Sequence, residues 1–226
     1  MELGHVVNFE RLRNDKQQKA DEALLSVYHH FFDWLQTGAN LRDKVRAKHM
    51  FKTIASIDPD EMVRETSRFQ FEHWFAFDYS TIIGAHLFDL FIRQESQALT
   101  SQELETSGVI MTTALELFQI EHVDHEGCMT GKYPLTGEER TITPTPLFAG
   151  ELQKLNISEG LCLLRTVQNG FSPRLLTPPA PIQEDYTDTV IDHLQALRPE
   201  KVHRQTFMRK NSLYYLSFVD WGHLQQ

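Results

Sequence analysis

The apolar residues of this chain change their repeat once, near residue 115, and that change limits the fold more than any other feature of the sequence. Before it, Ala20, Ala23, Leu24, Val27, Tyr28, Phe31 and Leu35 recur at three- and four-residue spacing, one stripe of a helix predicted over 15–36. After it, Leu115, Leu117, Phe118 and Ile120 move toward the two-residue repeat of a strand. A block of helices followed by a block of strands predicts an α+β protein.

Start and stop signals place the other helices. Thr37-Gly38 reads as a stop, with Gly38 expected in the left-handed conformation that closes a helix end. A second helix is predicted from Leu41 to about Ser56. Its cations Arg42, Lys44, Arg46, Lys48 and Lys52 fall on even positions, which sweep around a helix instead of forming one face, so it reads as a solvated basic helix. Asp58-Pro59-Asp60-Glu61 reads as a third start, with Asp58 as N-cap and Pro59 at the first position, running to about Phe69 or beyond. Thr100-Ser101-Gln102-Glu103 opens another by the same logic, ending near Ala114. The stretch 69–91 between them is crowded with aromatic rings, expected to form the core where the helices meet.

Gly127, Gly131 and Thr136-Gly137 read as turns between short strands, Asn156–Gly160 as another, and Leu161–Val167 as a buried strand. Strands this short bury a face only by closing or being covered, so about 115–176 is expected to form a small antiparallel barrel or curled sheet. Pro178-Pro179-Ala180-Pro181 reads as a stiff extended linker. Beyond it, Val190, Ile191, Leu194 and Leu197 mark a helix ended by Pro199, and Phe207, Tyr214, Phe218 and Trp221 favour a last helix over a hairpin around Asn211-Ser212. The predicted organisation is therefore a helical region at 1–114, a small antiparallel β-barrel-like domain at 115–177, a proline-rich linker at 178–184 and a C-terminal helical segment at 185–226.

Charge and composition narrow the function classes. With 31 acidic against 22 basic side chains, the net charge of −9 disfavours a nucleic-acid or anionic-membrane partner. The first apolar run is broken by Asn8 and followed by alternating charges, unlike a secretion signal, and no stretch approaches the ~18–20 apolar residues of a membrane span. Two cysteines, Cys128 and Cys162, are too few for a disulfide framework or a four-cysteine zinc site. A cytoplasmic location is the expectation.

The densest chemical cluster is Glu121-His122-Val123-Asp124-His125-Glu126-Gly127-Cys128. His122, Asp124, His125 and Cys128 are residue types that hold a divalent metal, although on a strand His122 and Asp124 share one face and His125 the other. The competing reading is a polar hairpin end in solvent. Asp78, between Phe77 and Tyr79, reads either as a buried acid of raised pKa or as a partner in an ion pair. The spacing Gly127 to Gly131 is one residue short of a phosphate loop, and Tyr133 stands where a Ser or Thr is required. No HExxH, GxSxG, GxGxxG or CxxC motif is present.

FEHWFAFDY at 71–79 and HLFDLF at 86–91 resemble a family of uncharacterised bacterial proteins often found with a C-terminal SEC-C zinc tail. LTSQELE at 99–105, the stretch 115–142 and LNISEGLCLLRTV at 155–167 follow in that family's order, so the resemblance spans roughly Phe69 to Val167. It implies no activity and no catalytic residue, because the family has no settled one. It does imply that the aromatic block packs helices onto the β region and that Leu135–Glu139 forms a tight hairpin. No cysteine follows Cys162, so the zinc site of the tailed members is absent from this sequence.

The leading functional expectation is a non-enzymatic module that binds a protein or peptide, with Trp74, Asp78 and Tyr79 as the partner-binding candidates; catalytic residues and cofactor are unassigned. The first alternative is a metal-dependent hydrolase using the 122–128 cluster. The second is RNA binding by the barrel through Lys132, Tyr133, Arg140 and Arg165.

Overall fold

A computed structural model describes residues 9–57, 65–148, 157–197 and 203–221. It shows an α+β protein with seven α-helices among the described residues, a helical N-terminal half, a curled antiparallel sheet in the middle and helices at the C-terminal end. The helices are α1 (Phe9–Gly38), α2 (Leu41–Ile54), α3 (Glu65–Phe77), α4 (Leu87–Glu95), α5 (Ser101–Thr112), α6 (Thr187–Ala196) and α7 (Arg204–Tyr215). The strands are β1 (Leu115–Val123), β2 (Met129–Tyr133), β3 (Glu138–Ile142), β4 (Gly160–Asn169), β5 (Ser172–Leu175) and β6 (Ala180–Pro181). No helix among the described residues is long and apolar enough to cross a membrane.

The predicted stripe of α1 is buried at Ala20, Ala23, Leu24, Val27, Phe31 and Leu35, in a helix longer at both ends than its periodic part. Phe31 sits among Phe77, Phe88 and Phe91, so the aromatic block forms the helical core as expected. Thr100 caps α5 in a reciprocal capping box with Glu103, whose carboxylate also accepts from Ser26 of α1 at 2.5 Å. The last segment is the helix α7, while the start at Asp58 and the stop at Pro199 lie outside the described residues.

Two glycines do different work from that expected of them. α1 does stop at Gly38, but Gly38 has no positive φ; a Cβ there would stand 2.4 Å from the Trp34 indole, so the residue is small to let that ring lie over the helix end. Gly131 is no turn but the middle of β2, where a Cβ would meet the Gln119 carbonyl oxygen of β1 at 2.0 Å. The proline segment is not a free linker either. Ala180 and Pro181 pair with Leu163 and Cys162 of β4, and Gln70 of α3 donates to the Pro178 carbonyl.

The sheet runs β3-β2-β1-β4-β5. It curls until Thr143, just past β3, meets Arg174 of β5 in a parallel bridge closed by Thr143 N–H to Pro173 O and Leu175 N–H to Thr143 O. The result is an antiparallel half-barrel, with β6 pairing β4 off the main path. Phe118, Ile120, Met129, Tyr133, Ile142, Cys162, Leu164 and Leu175 fill its interior. Leu115 and Leu117, on the opposite face of β1, belong to the helical core, which explains why β1 is buried on both faces.

Charged side chains fasten helices to this barrel. Asp21 of α1 takes two bonds from Arg174 and one from Asn169. Arg204 of α7 lies 3.5 Å from the centroid of the Tyr133 ring, donates to the buried Glu116 at 3.1 Å and also reaches Glu138. Burial first, only partly answered by Arg204, raises the Glu116 pKa. Arg204→Ala strands that carboxylate, and urea unfolding is expected to show a loss of ~3 kcal/mol. Pairing it with Glu116→Leu is expected to recover most of the loss, since a well-packed apolar pair replaces a buried ion pair at little cost.

Candidate functional site

The segment that leaves α3 is held by one buried ion pair and one buried hydrogen bond to a carboxylate. Asp78 accepts from Arg165 Nη2 at 2.5 Å, and Arg165, almost wholly buried on β4, also gives Nη1 to Thr113 Oγ1 at 3.0 Å. Its guanidinium lies 5.2 Å from the Phe77 ring centroid, and its Nε is buried without a partner. Asp78, Arg165, Thr113, His86, Asp89 and Arg209 are among the walls of a 190 Å³ cavity at this junction. Of the two readings of Asp78, the ion pair is the one the structure shows.

Tyr79 points the other way, into the helices, and donates its hydroxyl to Asp43 of α2 at 2.7 Å. The other oxygen-bound partner of Asp43 is the backbone N–H of Ile82, at 3.2 Å to the same Oδ1. Between Tyr79 and α4 the chain makes a tight loop. Ser80 bridges His86; Thr81 N–H bonds Ala85 O and Gly84 N–H bonds Thr81 O; Thr81 Oγ1 bonds both Ala85 O and Ala85 N–H. Gly84 supplies the positive φ, +79°, that the turn needs.

The tip of this braced loop is Ile82-Ile83, 65% and 77% exposed. Leu41 and Val45 are also exposed on α2, one turn apart, beside the Asp43 that anchors the loop. Next to them a 340 Å³ slot opens between α1, α2 and α3, walled by Phe32, Leu35, Val45, Phe71 and Phe75, with Lys44 and Lys48 on it. Glu72 also lines the slot, and burial, partly answered by Arg68, raises its pKa.

This geometry reassigns the residues singled out in the sequence. Trp74 and Tyr79 are 3% and 1% exposed and belong with Phe75 to the helical core, so neither offers the exposed ring expected of a partner-binding residue. Tyr79 acts from behind the loop. His122, Asp124, His125 and Cys128 are not gathered: among the described residues no group of three or more His, Cys, Asp or Glu side chains is placed to hold a metal. Asp124 instead accepts the N–H groups of Cys128 and Glu126, which closes the β1–β2 hairpin and, led by the Cys128 bond, lowers its pKa. Burial, then the nearby Asp124, raises the Cys128 thiol pKa, away from a metal-binding thiolate. The four residues proposed for RNA are all engaged, Lys132 with Glu121, Arg140 with Glu138, Arg165 with Asp78, and Tyr133 beneath Arg204.

The sequence signal missed Ile82-Ile83, Asp43 and the slot. The two isoleucines lie within the aromatic stretch expected to form core, and nothing in the pattern of α2 marks Asp43. Comparison with protein-family models, with curated proteins and with solved structures finds no match to this chain.

One titratable group behind the site is set for pH-dependent stability. His73 of α3 is buried between the Phe69 carbonyl, which takes Nδ1–H at 2.8 Å, and the Tyr28 hydroxyl, 2.7 Å from Nε2. Burial, with Arg165 nearby, lowers its pKa from 6.5 to about 4. The unfolded chain therefore binds the proton first, and the stabilisation from neutral His73 is complete above pH 6.5 and lost as pH falls toward 4. Unfolding midpoints are expected to show this as ~3 kcal/mol between those limits, with a shallower slope in His73→Gln.

Proposed function

We propose that the protein works by binding another protein or a peptide, with the Ile82-Ile83 loop as its apolar contact, and not by chemistry of its own. The observation that carries this is the exposure of two adjacent β-branched residues on a loop fixed by hydrogen bonds at its stem and side. Such side chains have little rotamer freedom to lose, and a rigid loop has little backbone freedom to lose, so contact made here keeps most of its burial free energy. Exposed apolar projections of this kind contribute nothing to the folded monomer and suit the centre of a recognition surface.

The resemblance to the bacterial family with SEC-C tails fits this reading in one respect. The residues that carry it, Trp74, Phe75, Tyr79, Phe88 and Phe91, are core positions that build a scaffold. No observation favours the metal-dependent or RNA-binding alternatives.

A photo-crosslinking amino acid placed at Ile83 is expected to give a discrete adduct in cells of the source organism, and the same amino acid at the exposed Gln102 of α5 is not. Ile82→Ser with Ile83→Ser is expected to weaken recovery of that partner by ~10-fold or more while stability changes by no more than ~0.5 kcal/mol. Equal adducts at both positions, or none at Ile83, would contradict the proposal.

A further inference from the structure

We infer that the slot beside α2 receives a tryptophan or tyrosine side chain from an acidic segment of the partner; this rests on the protein-binding reading above. Three independent features of one surface converge on that ligand.

The first is charge. Among the described residues Arg42, Lys44, Lys48 and Lys52 form no ion pair, on a chain whose net charge is −9. Lys44 gives one bond to the Gln36 carbonyl and keeps its charge uncompensated. The even spacing of these cations does sweep around the helix, but Asp43, Ala47 and Phe51 take the buried side, so what it sweeps is the solvent half. Leu41, Val45, Lys48 and Lys52, at steps of four, three and four, then share one stripe, two apolar residues followed by two cations. A partner with carboxylates matches that stripe, and nearby cations steer its approach.

The second is shape. At 340 Å³ the slot stands at the low end of ligand pockets, ~300–1,000 Å³, a size for one large side chain. Its walls are the rings of Phe32, Phe71 and Phe75 with Leu35 and Val45, which suit an aromatic anchor packed edge or face on. The third is that the lining also holds hydrogen-bond acceptors, the carboxylate of Glu72, which pairs with Arg68, and the amide of Gln36. An indole N–H or a phenol O–H entering the slot has these to donate to, which selects Trp or Tyr over Phe. Leu41, exposed one turn before Val45 of the slot's wall, extends the apolar contact beyond the slot, so the occupant is a segment of polypeptide and not a small molecule alone.

The test uses the full chain and a fluorescein-labelled peptide with one tryptophan flanked on both sides by glutamates, read by fluorescence anisotropy. Binding is expected to weaken by ~10-fold or more when the peptide's tryptophan becomes glycine, when its glutamates become glutamines, and when the protein carries Lys44→Glu with Lys48→Glu. Val45→Trp, a surface change that fills the slot from its own wall, is expected to do the same without lowering the melting temperature. No saturation up to about 1 mM peptide overturns the inference, as does equal binding of the glycine peptide, which would leave charge alone. Sedimentation with phosphatidylserine vesicles that depends on Lys44 and Lys48, without peptide binding, overturns it in favour of a lipid surface. If the Ile83 adduct forms while the peptide fails, the protein-binding reading stands and only the acidic, aromatic-anchored partner is refuted.

Discussion

A guanidinium carried on a buried strand must be answered by an anion, and in this protein the answer comes from the other half of the fold. Arg165 on β4 meets Asp78 at the end of α3 and Thr113 at the joint between α5 and β1. An ion pair of this kind contributes little net stability against an apolar substitute, yet losing one partner leaves an uncompensated buried charge. It therefore acts on arrangement. It sets where α3 ends against the barrel, and Tyr79, the next residue, is then aimed at Asp43 and the loop that follows it. The same logic recurs at Arg174 with Asp21 and at Arg204 with Glu116. In each case a cation and an anion from different layers hold barrel to helix at a polar point within an apolar interface.

What the sequence made legible was local. The stripe of α1, the capping box at Thr100 and the strand at 161–167 depend on residues near one another in the chain, and the structure has all three. What it hid depends on distant partners. Gly38 is read as a left-handed cap where α1 stops until Trp34 is seen lying against it, and Gly131 as a turn until the Gln119 carbonyl is seen where its Cβ would be. Prolines that favour an extended linker are equally suited to a short strand at the edge of a sheet, and β6 shows which applies.

The candidate site was harder still. The histidines and acids of 122–128 are dense in sequence, but a strand and its turn point them apart, and the backbone N–H groups claim the one carboxylate best placed to act. The aromatic block invites a reading as a contact surface, although its size is the reason it is buried: large rings dominate cores before they dominate interfaces. Exposure is what distinguishes Ile82-Ile83 from Phe75 or Phe88, and exposure is set by the hydrogen bonds of Thr81, Gly84 and Asp43, which no hydropathy pattern carries.

The account turns on that loop being a preformed projection. Its most direct test is residue-level amide hydrogen exchange. The Ile82 and Gly84 N–H groups, bonded to Asp43 and Thr81, are predicted to exchange at least ~100-fold more slowly than in an unstructured chain, with Asp43→Ala releasing Ile82 while the protection of α1 persists. Exchange of both amides at unprotected rates in the native protein would contradict a braced loop, and with it the recognition surface proposed around it.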